Sequence, residues 1–341
     1  MMRVLLILGW CLCFFVNPGE CMISKSLLKE IDSVNKAGPY IGVVVPNDYE
    51  MNPLLQSSSF VVNQKRPYLD ISGRRFQLGT LEKQKIIIVM TGLSMLNAGI
   101  TTQLLLSLFN VKGVLHFGIA GNANNELEIG DVSIPKFWAH TGLWLWQRYG
   151  QPKSEVPLED SRTLGYLKFS DYNNGTTTKH GGHKDNLLNS IWYMPEEVFS
   201  INTYSETRQY AFWVPVDKHY FAISKQLEGM KLEKCINATT CLPRAPKVVR
   251  VQRGVSANVF VDNGAYRNFL STKFNVTPID MESAAVALIC YQQKIPFIAI
   301  RSLSDLAGGG SAVSNEASTF APLAAQNAAA ALIKLVSLLP L

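Results

Sequence analysis

The chain has 341 residues, of which 47% are hydrophobic and 17% charged, and its formal net charge at neutral pH is +6. This length and apolar content predict a sizeable core, either in one large α/β domain with an insertion or in two domains. The Lys and Arg residues are scattered along the chain rather than clustered, which argues against nucleic acid as a partner.

The first 20 residues have the pattern of a secretory signal peptide. Arg3 precedes an apolar run from Val4 to Val16, and the polar stretch Asn17-Pro18-Gly19 follows it. A membrane anchor is the alternative, but the run is shorter than the roughly 20 apolar residues that cross a bilayer, and no second such run follows. We therefore expect residues 1–20 to be removed and the mature protein, without a stable membrane span, to be extracellular or vacuolar.

From Tyr40 onward, β-branched runs alternate with segments of helical spacing. Strands are predicted at 40–45, 75–81, 85–90, 111–119, 248–254, 276–279 and 297–302, and helices at 97–109, 217–228, 262–274, 283–293 and 318–338. Between about 140 and 211 the chain is aromatic, polar and irregular, which indicates an insertion. The alternation predicts an α/β fold over residues 38–341, namely a three-layer sandwich around a central mixed, largely parallel twisted sheet.

The predicted secretion places the cysteines in an oxidising compartment, where disulfides form. Cys235 and Cys241 flank a short polar loop and are expected to form a disulfide, whereas Cys290 in an apolar helix is expected to be a buried free thiol. His180-Gly181-Gly182-His183 lacks other ligands at a suitable spacing, so no metal is expected.

Three segments match the acceptor pattern for N-linked glycans. They begin at Asn174, Asn237 and Asn275, and they predict a glycoprotein. The third is the weakest, because Pro278 follows it at once.

Two acidic residues about twenty positions apart follow predicted strands. Glu282 stands in Asp280-Met281-Glu282-Ser283-Ala284-Ala285, and Asp305 ends Arg301-Ser302-Leu303-Ser304-Asp305. Glu50 and Gly121 also follow predicted strands. Since ligands of α/β sheets bind beyond the carboxyl ends of the strands, the fold could bring these residues to one edge.

The two carboxyl groups suit the cleavage of a purine N-glycosidic bond. Glu282 could hold the ribose hydroxyls, while a partly desolvated, protonated Asp305 could donate a proton to N7 of the departing base. Structural roles stay open for both residues. Glu282 could cap the helix that follows it, and Asp305 could cap the turn before Gly308-Gly309-Gly310.

Glycine turns offer weaker signals. Gly118-Ile119-Ala120-Gly121 closes a strand with a backbone that can approach a ligand closely. Thr91-Gly92-Leu93-Ser94 could present hydroxyls and amides to phosphate or water, although a plain strand-to-helix connection explains it slightly better.

In combination and in this order, the segments at Gly118–Gly121, Asp280–Ala285 and Arg301–Asp305 resemble the nucleoside phosphorylase/nucleosidase superfamily. The type is that of purine nucleoside phosphorylases and methylthioadenosine nucleosidases, and the chain looks most like a plant branch with bark storage proteins and cytokinin riboside phosphorylases. This resemblance implies cleavage of purine-type nucleosides, cytokinin ribosides included, by phosphorolysis or hydrolysis. It also implies a homo-oligomer in the apoplast or a vacuole, and it leaves a catalytically inactive storage protein as the alternative.

The resemblance implies roles for individual residues. Met281 and Glu282 would contact ribose, and Asp305 of the Ser304-Asp305 pair would protonate purine N7. Phe260 would stack on the base, and Glu50 would activate water as in the hydrolytic members.

The segment after the first strand departs from the phosphate-binding pattern. Phosphorylases of the hexameric type carry Gly-Asp-Pro and an Arg there, whereas this chain has Val45-Pro46-Asn47-Asp48. An anionic Glu50 would also repel phosphate. Water is therefore favoured as acceptor, phosphate is a possible co-substrate that Arg74, Arg75 or a neighbouring subunit could hold, and no cofactor is expected.

Overall fold

The computed structural model describes residues 24–146, 191–200, 206–309 and 316–340. The predicted signal peptide, the acceptor pattern at Asn174 and the histidines at 180 and 183 lie outside these ranges.

Strands and helices follow one another along the described chain. The strands are β1 (Tyr40–Val45), β2 (Phe60–Val62), β3 (Tyr68–Ile71), β4 (Arg74–Leu81), β5 (Gln84–Met90), β6 (Val111–Asn122), β7 (Val132–His140), β8 (Trp144–Trp146), β9 (Ile191–Tyr193), β10 (Glu196–Ser200), β11 (Thr207–Ala211), β12 (Val214–Pro215), β13 (Val248–Ser256), β14 (Val276–Asp280) and β15 (Phe297–Leu306). The helices are α1 (Lys25–Ala37), α2 (Asp48–Leu55), α3 (Met95–Leu108), α4 (Lys218–Ile223), which continues as a 3₁₀ turn over Ser224–Leu227, α5 (Gly264–Phe274), α6 (Ser283–Gln292) and α7 (Glu316–Leu338).

The main sheet is mixed and consists of two parallel groups. In the first group β6 lies between β1 and β15, and β5 extends the group beyond β1. In the second group β13 lies between β7 and β14. The groups join through antiparallel pairs, β14 with β6 and β15 with β7, and antiparallel β4 continues the sheet beyond β5. This arrangement confirms the predicted α/β class with a mixed central sheet.

The sheet is buried between helices, and its central strands are apolar. Every residue of β1 is buried, as expected of a β-branched strand covered on both faces. Helices α2 and α7 pack together, and α3 packs on α6. Helix α1 belongs to the same core through Ile31 and Val34, so the folded unit begins ahead of the predicted start at residue 38.

The segment predicted as an irregular insertion contains regular structure where it is described. Strands β8 and β9 form one antiparallel ribbon, and β10 and β11 form another. Tyr193 fixes the first ribbon to the body, because its ring packs against Phe269 and Phe274 in a second apolar cluster.

Helix α7 contains a segment, Thr319–Leu338, that is long and apolar enough to cross a membrane. Much of it is buried inside the protein, and its side chains Ala328, Leu332 and Leu335 lie in the main core. The core of the fold therefore accounts for its composition.

The predicted covalent pair is present at the surface. Cys235 and Cys241 form a disulfide, and Cys290 is a buried free thiol within α6. Within the described ranges, no group of three or more His, Cys, Asp or Glu side chains is arranged to hold a metal.

Candidate functional site

A cavity of about 300 Å³ opens where β6, β14 and β15 meet. In the pairing of these strands, Gly121 of β6 lies opposite Ile279 of β14 on one side and opposite Asp305 of β15 on the other. The strand ends that precede Glu282 and contain Asp305 therefore converge on one short stretch of β6. The lining residues are Pro46, Asn47, Tyr49, Glu50, Leu93, Ile119, Ala120, Gly121, Val259, Phe260, Val261, Ile279, Asp280, Met281, Glu282, Ser304, Asp305, Ala307 and Ala321.

A β-bulge places Asp305 at the wall of this cavity. The pairing of β15 with β6 shifts between Leu303 and Asp305, so Ser304 is the extra residue. Bulges turn a strand locally and re-aim its side chains. The Ser304 hydroxyl, 2.6 Å from Asp305 Oδ1, donates to that carboxylate oxygen and fixes its orientation.

Glu282 precedes α6, but its side chain does not cap the helix. Its Oε1 accepts from the backbone N of Ser94 at 3.0 Å. Asp280 and Ser256 cap the helix instead. Asp280 Oδ1 accepts from the backbone N of Ser283 at 3.2 Å, and the Ser256 hydroxyl oxygen accepts from the backbone N of Ala284 at 2.9 Å. These two residues leave the Glu282 carboxylate to face the cavity.

Glu50 lies in the first turn of α2, a helix that the sequence did not predict. The side chain of Asn47 caps this helix and accepts from the backbone N of Glu50 at 3.0 Å. Glu50 is 1% exposed, and its Oε1 accepts from the backbone N of Ile119 at 2.6 Å. Its Oε2 is buried and has no hydrogen-bond partner among the described residues.

Burial sets the ionisation of both glutamates. Desolvation raises the pKa of Glu50 to about 8, and the nearby Arg301 charge only partly opposes this shift. Desolvation likewise raises the pKa of Glu282, again against the Arg301 charge. The site therefore favours a protonated Glu50 at neutral pH.

Arg301 joins the acidic residues of the site, and the sequence analysis did not single it out. The Arg301 side chain is fully buried, with Nε 2.7 Å from Asp280 Oδ2. Nη1 lies 3.8 Å from Glu50 Oε1, and Nη2 lies 3.6 Å from Glu282 Oε2. A lone cation inside the apolar run 297–303 was the available signal, since Arg is rarely buried without partners.

Gly118 and Gly121 of β6 lie in different surroundings. A Cβ at Gly118 would overlap the Arg301 guanidinium and the Glu50 carboxylate. A Cβ at Gly121 would lie 3.0 Å from the Ala307 Cβ. Gly121 does line the cavity, as predicted for a close backbone approach, whereas Gly118 makes room for protein side chains.

Thr91 and Gly92 lie outside the lining residues. Thr91 is buried, and its hydroxyl donates to the Gly92 carbonyl at 2.6 Å. Gly92 has φ +83°, a value that favours glycine, and the turn it forms brings Leu93 to the cavity and Ser94 to Glu282. The placement gives both residues a turn-forming role and does not support the predicted direct contact with a ligand.

Phe260 and Met281 complete the predicted set. Phe260 is 69% exposed on the loop between β13 and α5, and it borders the cavity together with Met281. An exposed ring at the rim of a cavity is free to cover a planar ligand.

The structure contains one chain, and the predicted homo-oligomer stays a prediction.

Comparisons with known proteins agree with this architecture. The model of the family described as "Phosphorylase superfamily" matches residues 40–158 and 207–337. Bark storage protein A of Populus deltoides is 33% identical over 302 residues, which cover 88% of this chain and 89% of that protein. A 5'-methylthioadenosine/S-adenosylhomocysteine nucleosidase of Psychromonas ingrahamii is 26% identical over 260 residues, 76% of this chain and 83% of the relative.

Solved structures share the fold at lower identity. Futalosine hydrolase of Helicobacter pylori superposes with a TM-score of 0.58 at 18% identity, covering 89% of this chain and all (100%) of that one. The 5'-methylthioadenosine/S-adenosylhomocysteine nucleosidase of Neisseria meningitidis gives 0.59 at 18% identity, covering 88% and 99%. The chain belongs to the nucleoside phosphorylase/nucleosidase superfamily.

Proposed function

We propose that this protein hydrolyses the N-glycosidic bond of purine-type nucleosides and releases the free base. The observation that carries the proposal is the half-satisfied carboxyl group of Glu50. Its Oε1 is held by a backbone amide, while its Oε2 is buried without a hydrogen-bond partner among the described residues, in the same cavity as Glu282 and Asp305. A buried polar atom of this kind is costly unless a ligand or water completes it.

The proposed reaction uses the three carboxyl groups in different protonation states. Ionised Glu282 accepts hydrogen bonds from the ribose hydroxyls and stabilises the positive charge that develops on the sugar. Protonated Asp305 donates to N7 as the bond between C1' and N9 breaks. Water adds to C1', and its proton passes to Oε2 of ionised Glu50. Phe260 stacks on the base, with Met281 against the ribose.

The charge of the cavity supports water over phosphate as the acceptor. Four lining residues are acidic, namely Glu50, Asp280, Glu282 and Asp305, and none of the lining residues within the described ranges is Lys, Arg or His. A phosphate dianion would thus meet acidic side chains, and Arg301, which lies beside three of them, is fully buried and already paired with their carboxyl groups.

Neither arginine considered as a phosphate ligand lies at the cavity. Arg75 pairs with Asp70 at 2.8 Å on the exposed side of β4. The Arg74 guanidinium donates to the Thr91 carbonyl and to Asn97 Oδ1, at 2.5 and 2.8 Å, and thereby braces the turn at Gly92.

A nitrogen-storage role is the second candidate, because bark storage proteins A and B of Populus deltoides are 33% and 32% identical to this chain. Storage alone requires neither a buried, desolvated Glu50 nor a bulge that directs Asp305 into a cavity. These features favour the enzyme.

Chromatographic detection of free base tests the proposal. Adenosine, inosine, methylthioadenosine and the cytokinin riboside isopentenyladenosine are incubated with the purified protein, with and without phosphate. We expect base release without phosphate and a fall of about 10² to 10⁴-fold in kcat for Asp305→Asn, whose melting temperature stays at the wild-type value. Strict dependence on phosphate would identify a phosphorylase, and no release from any riboside would favour storage.

A further inference from the structure

His116 is a buried ionisable residue that the proposed reaction does not use. It lies in the middle of β6, paired with Val44 of β1 on one side and with Ala299 of β15 on the other. The residue is fully buried, and its Nδ1 is 2.9 Å from the Val44 carbonyl oxygen. Its Nε2 contacts Nη2 of Arg301.

The two partners of the imidazole determine its protonation. A carbonyl oxygen only accepts hydrogen bonds, so Nδ1 must carry the proton. A guanidinium only donates, so Nε2 must present its lone pair. The ring is therefore the neutral Nδ1–H tautomer, because an imidazolium would set two N–H groups against each other. Burial, followed by the Arg301 charge, agrees with this assignment by lowering the pKa of His116 well below its usual value.

Every N–H of Arg301 faces an acceptor or a carboxylate. Nε donates to the Ser283 hydroxyl at 3.0 Å and forms an ion pair with Asp280. Nη1 faces the Ile119 carbonyl and Glu50, and Nη2 faces His116 and Glu282. Because His116 accepts one of the two Nη2 hydrogens, the other is left to point toward Glu282.

We infer that His116 is a positioning residue for the proposed hydrolysis, since it holds the Arg301 guanidinium at the distances from which that group serves both Glu50 and Glu282. This inference rests on the proposed function. Without an acceptor at Nε2, Arg301 would turn its free N–H toward the carboxylates and stabilise their ionised forms. Other charged or titratable groups around this network are Tyr49 and Glu50 on α2, Asp280 on β14 and Glu282 ahead of α6.

Two amide substitutions separate the two hydrogen bonds of the imidazole. In His116→Gln the side-chain oxygen reaches the place of Nε2 and can accept from Arg301. In His116→Asn the amide reaches only as far as Nδ1, so it can still donate to Val44 but leaves Arg301 without its acceptor. Both variants place a neutral amide in the same buried position, so each is the control for the other.

We expect His116→Asn to lower kcat by about 100-fold, the scale of an ångström-sized displacement of a catalytic group, with KM within about threefold of wild type. We expect His116→Gln to stay within about tenfold of wild type. Because the pKa of Glu50 is raised to about 8, activity should increase as the pH rises through this value. In His116→Asn this increase should occur at lower pH, because the guanidinium that turns toward the carboxylates lowers the pKa of Glu50. Equal losses in the two variants, or an unshifted profile in His116→Asn, would overturn the inference.

A second measurement does not depend on activity. In protein with ¹⁵N-labelled histidine, the His116 signals are identified by their loss in His116→Gln, and they should report a neutral Nδ1–H ring from about pH 6 to about pH 9. An imidazolium or an Nε2–H tautomer would refute the assignment even if neither variant shows activity. Absence of turnover in the wild type, by contrast, would remove the proposed hydrolysis and leave this result standing.

Discussion

At the level of single residues, the raised pKa of Glu50 opposes its proposed role as a base. Burial raises its pKa to about 8, so at neutral pH most molecules hold it protonated. Its proposed role as a base requires the ionised form, with Oε2 available to a water molecule. The fraction of competent enzyme should therefore increase with pH.

The pH dependence of hydrolysis tests this conflict directly. We expect kcat/KM to rise from roughly pH 7 to roughly pH 9, with the midpoint near the Glu50 pKa of about 8. Glu50→Gln should lose about 10² to 10⁴-fold in activity and show no such rise. The profile is measured with a riboside whose base does not titrate in this range. A flat profile in the wild type would exclude Glu50 as the titrating base.

Thermal stability provides a control that needs no substrate. The folded state keeps the Glu50 proton up to about pH 8, whereas a Glu with the ordinary value of 4.5 releases it much earlier. The contribution of this group to stability is thus full at low pH and is lost as the pH rises toward 8. The melting temperature of Glu50→Gln relative to wild type should accordingly increase between about pH 5 and about pH 8.5.

At the level of elements, the pairing of β6 with β15 builds the site. Strand β6 is fixed by β1 on one side and β15 on the other, so its backbone cannot move away from the Arg301 side chain. At Gly118 of β6, Arg301 and Glu50 occupy the space that a Cβ would need.

Gly118→Ala should therefore damage both stability and activity. The new Cβ would overlap the Arg301 guanidinium and the Glu50 carboxylate, and overpacking of this kind costs about 1–3 kcal/mol of unfolding free energy. We expect a loss of about 100-fold or more in kcat at temperatures where the variant is folded. The matched control is Gly99→Ala in α3, where a Cβ meets nothing within 4 Å. Denaturant unfolding should show this control stabilised by up to about 1 kcal/mol, and full activity in Gly118→Ala would contradict the described packing.

The sequence predicts the elements better than their ends. Strand β6 was expected to stop at Ile119 and β15 at Ser302, yet they continue to Asn122 and Leu306. They do so because the two strands pair with each other as far as Leu306 and Asn122, a long-range contact that local propensity does not contain. Helix α2 was not predicted, and Pro53 within it is a residue that disfavours a helix interior.

The sequence also predicts some residues of the site and not others. The sequence places Glu282 and Asp305 after predicted strands, but the two residues meet at one cavity because β14 pairs antiparallel and β15 parallel with the same stretch of β6, which local patterns do not contain. Arg301 and His116 were not identified, since each is one ionisable residue inside an apolar run and reads as strand interior. Their roles depend on side chains from α2, β14 and the start of α6, which only the folded molecule brings together.

At the level of the whole molecule, the disulfide and the glycan acceptor patterns bear on the predicted passage through the secretory pathway. Asn237 is exposed in the loop that the Cys235–Cys241 disulfide closes. Its Oδ1 accepts from the backbone N and the hydroxyl of Thr239, both at 3.0 Å, so the two key residues of the acceptor pattern lie side by side at the surface. The amide nitrogen that carries a glycan points away from these contacts.

The other described acceptor pattern has a different environment. Asn275 ends α5 in the left-handed conformation, with φ 53°, and the residues after it enter β14. Thr277 is buried in that strand, between β13 and β6, and Pro278 further restricts its backbone. Once β14 pairs, an enzyme cannot reach the Thr277 hydroxyl that the pattern requires.

We propose that the protein is secreted, and we expect it to carry a glycan on Asn237 and none on Asn275. Peptide mass spectrometry after enzymatic deglycosylation in ¹⁸O water checks this, because a released glycan leaves a labelled Asp in place of Asn. Thr239→Ala serves as the control, since it removes the acceptor pattern while leaving Asn237 and the disulfide intact. A secreted chain with unmodified Asn237 would show that the closed loop resists the transferase, and a labelled residue 275 would mean that modification precedes the pairing of β14.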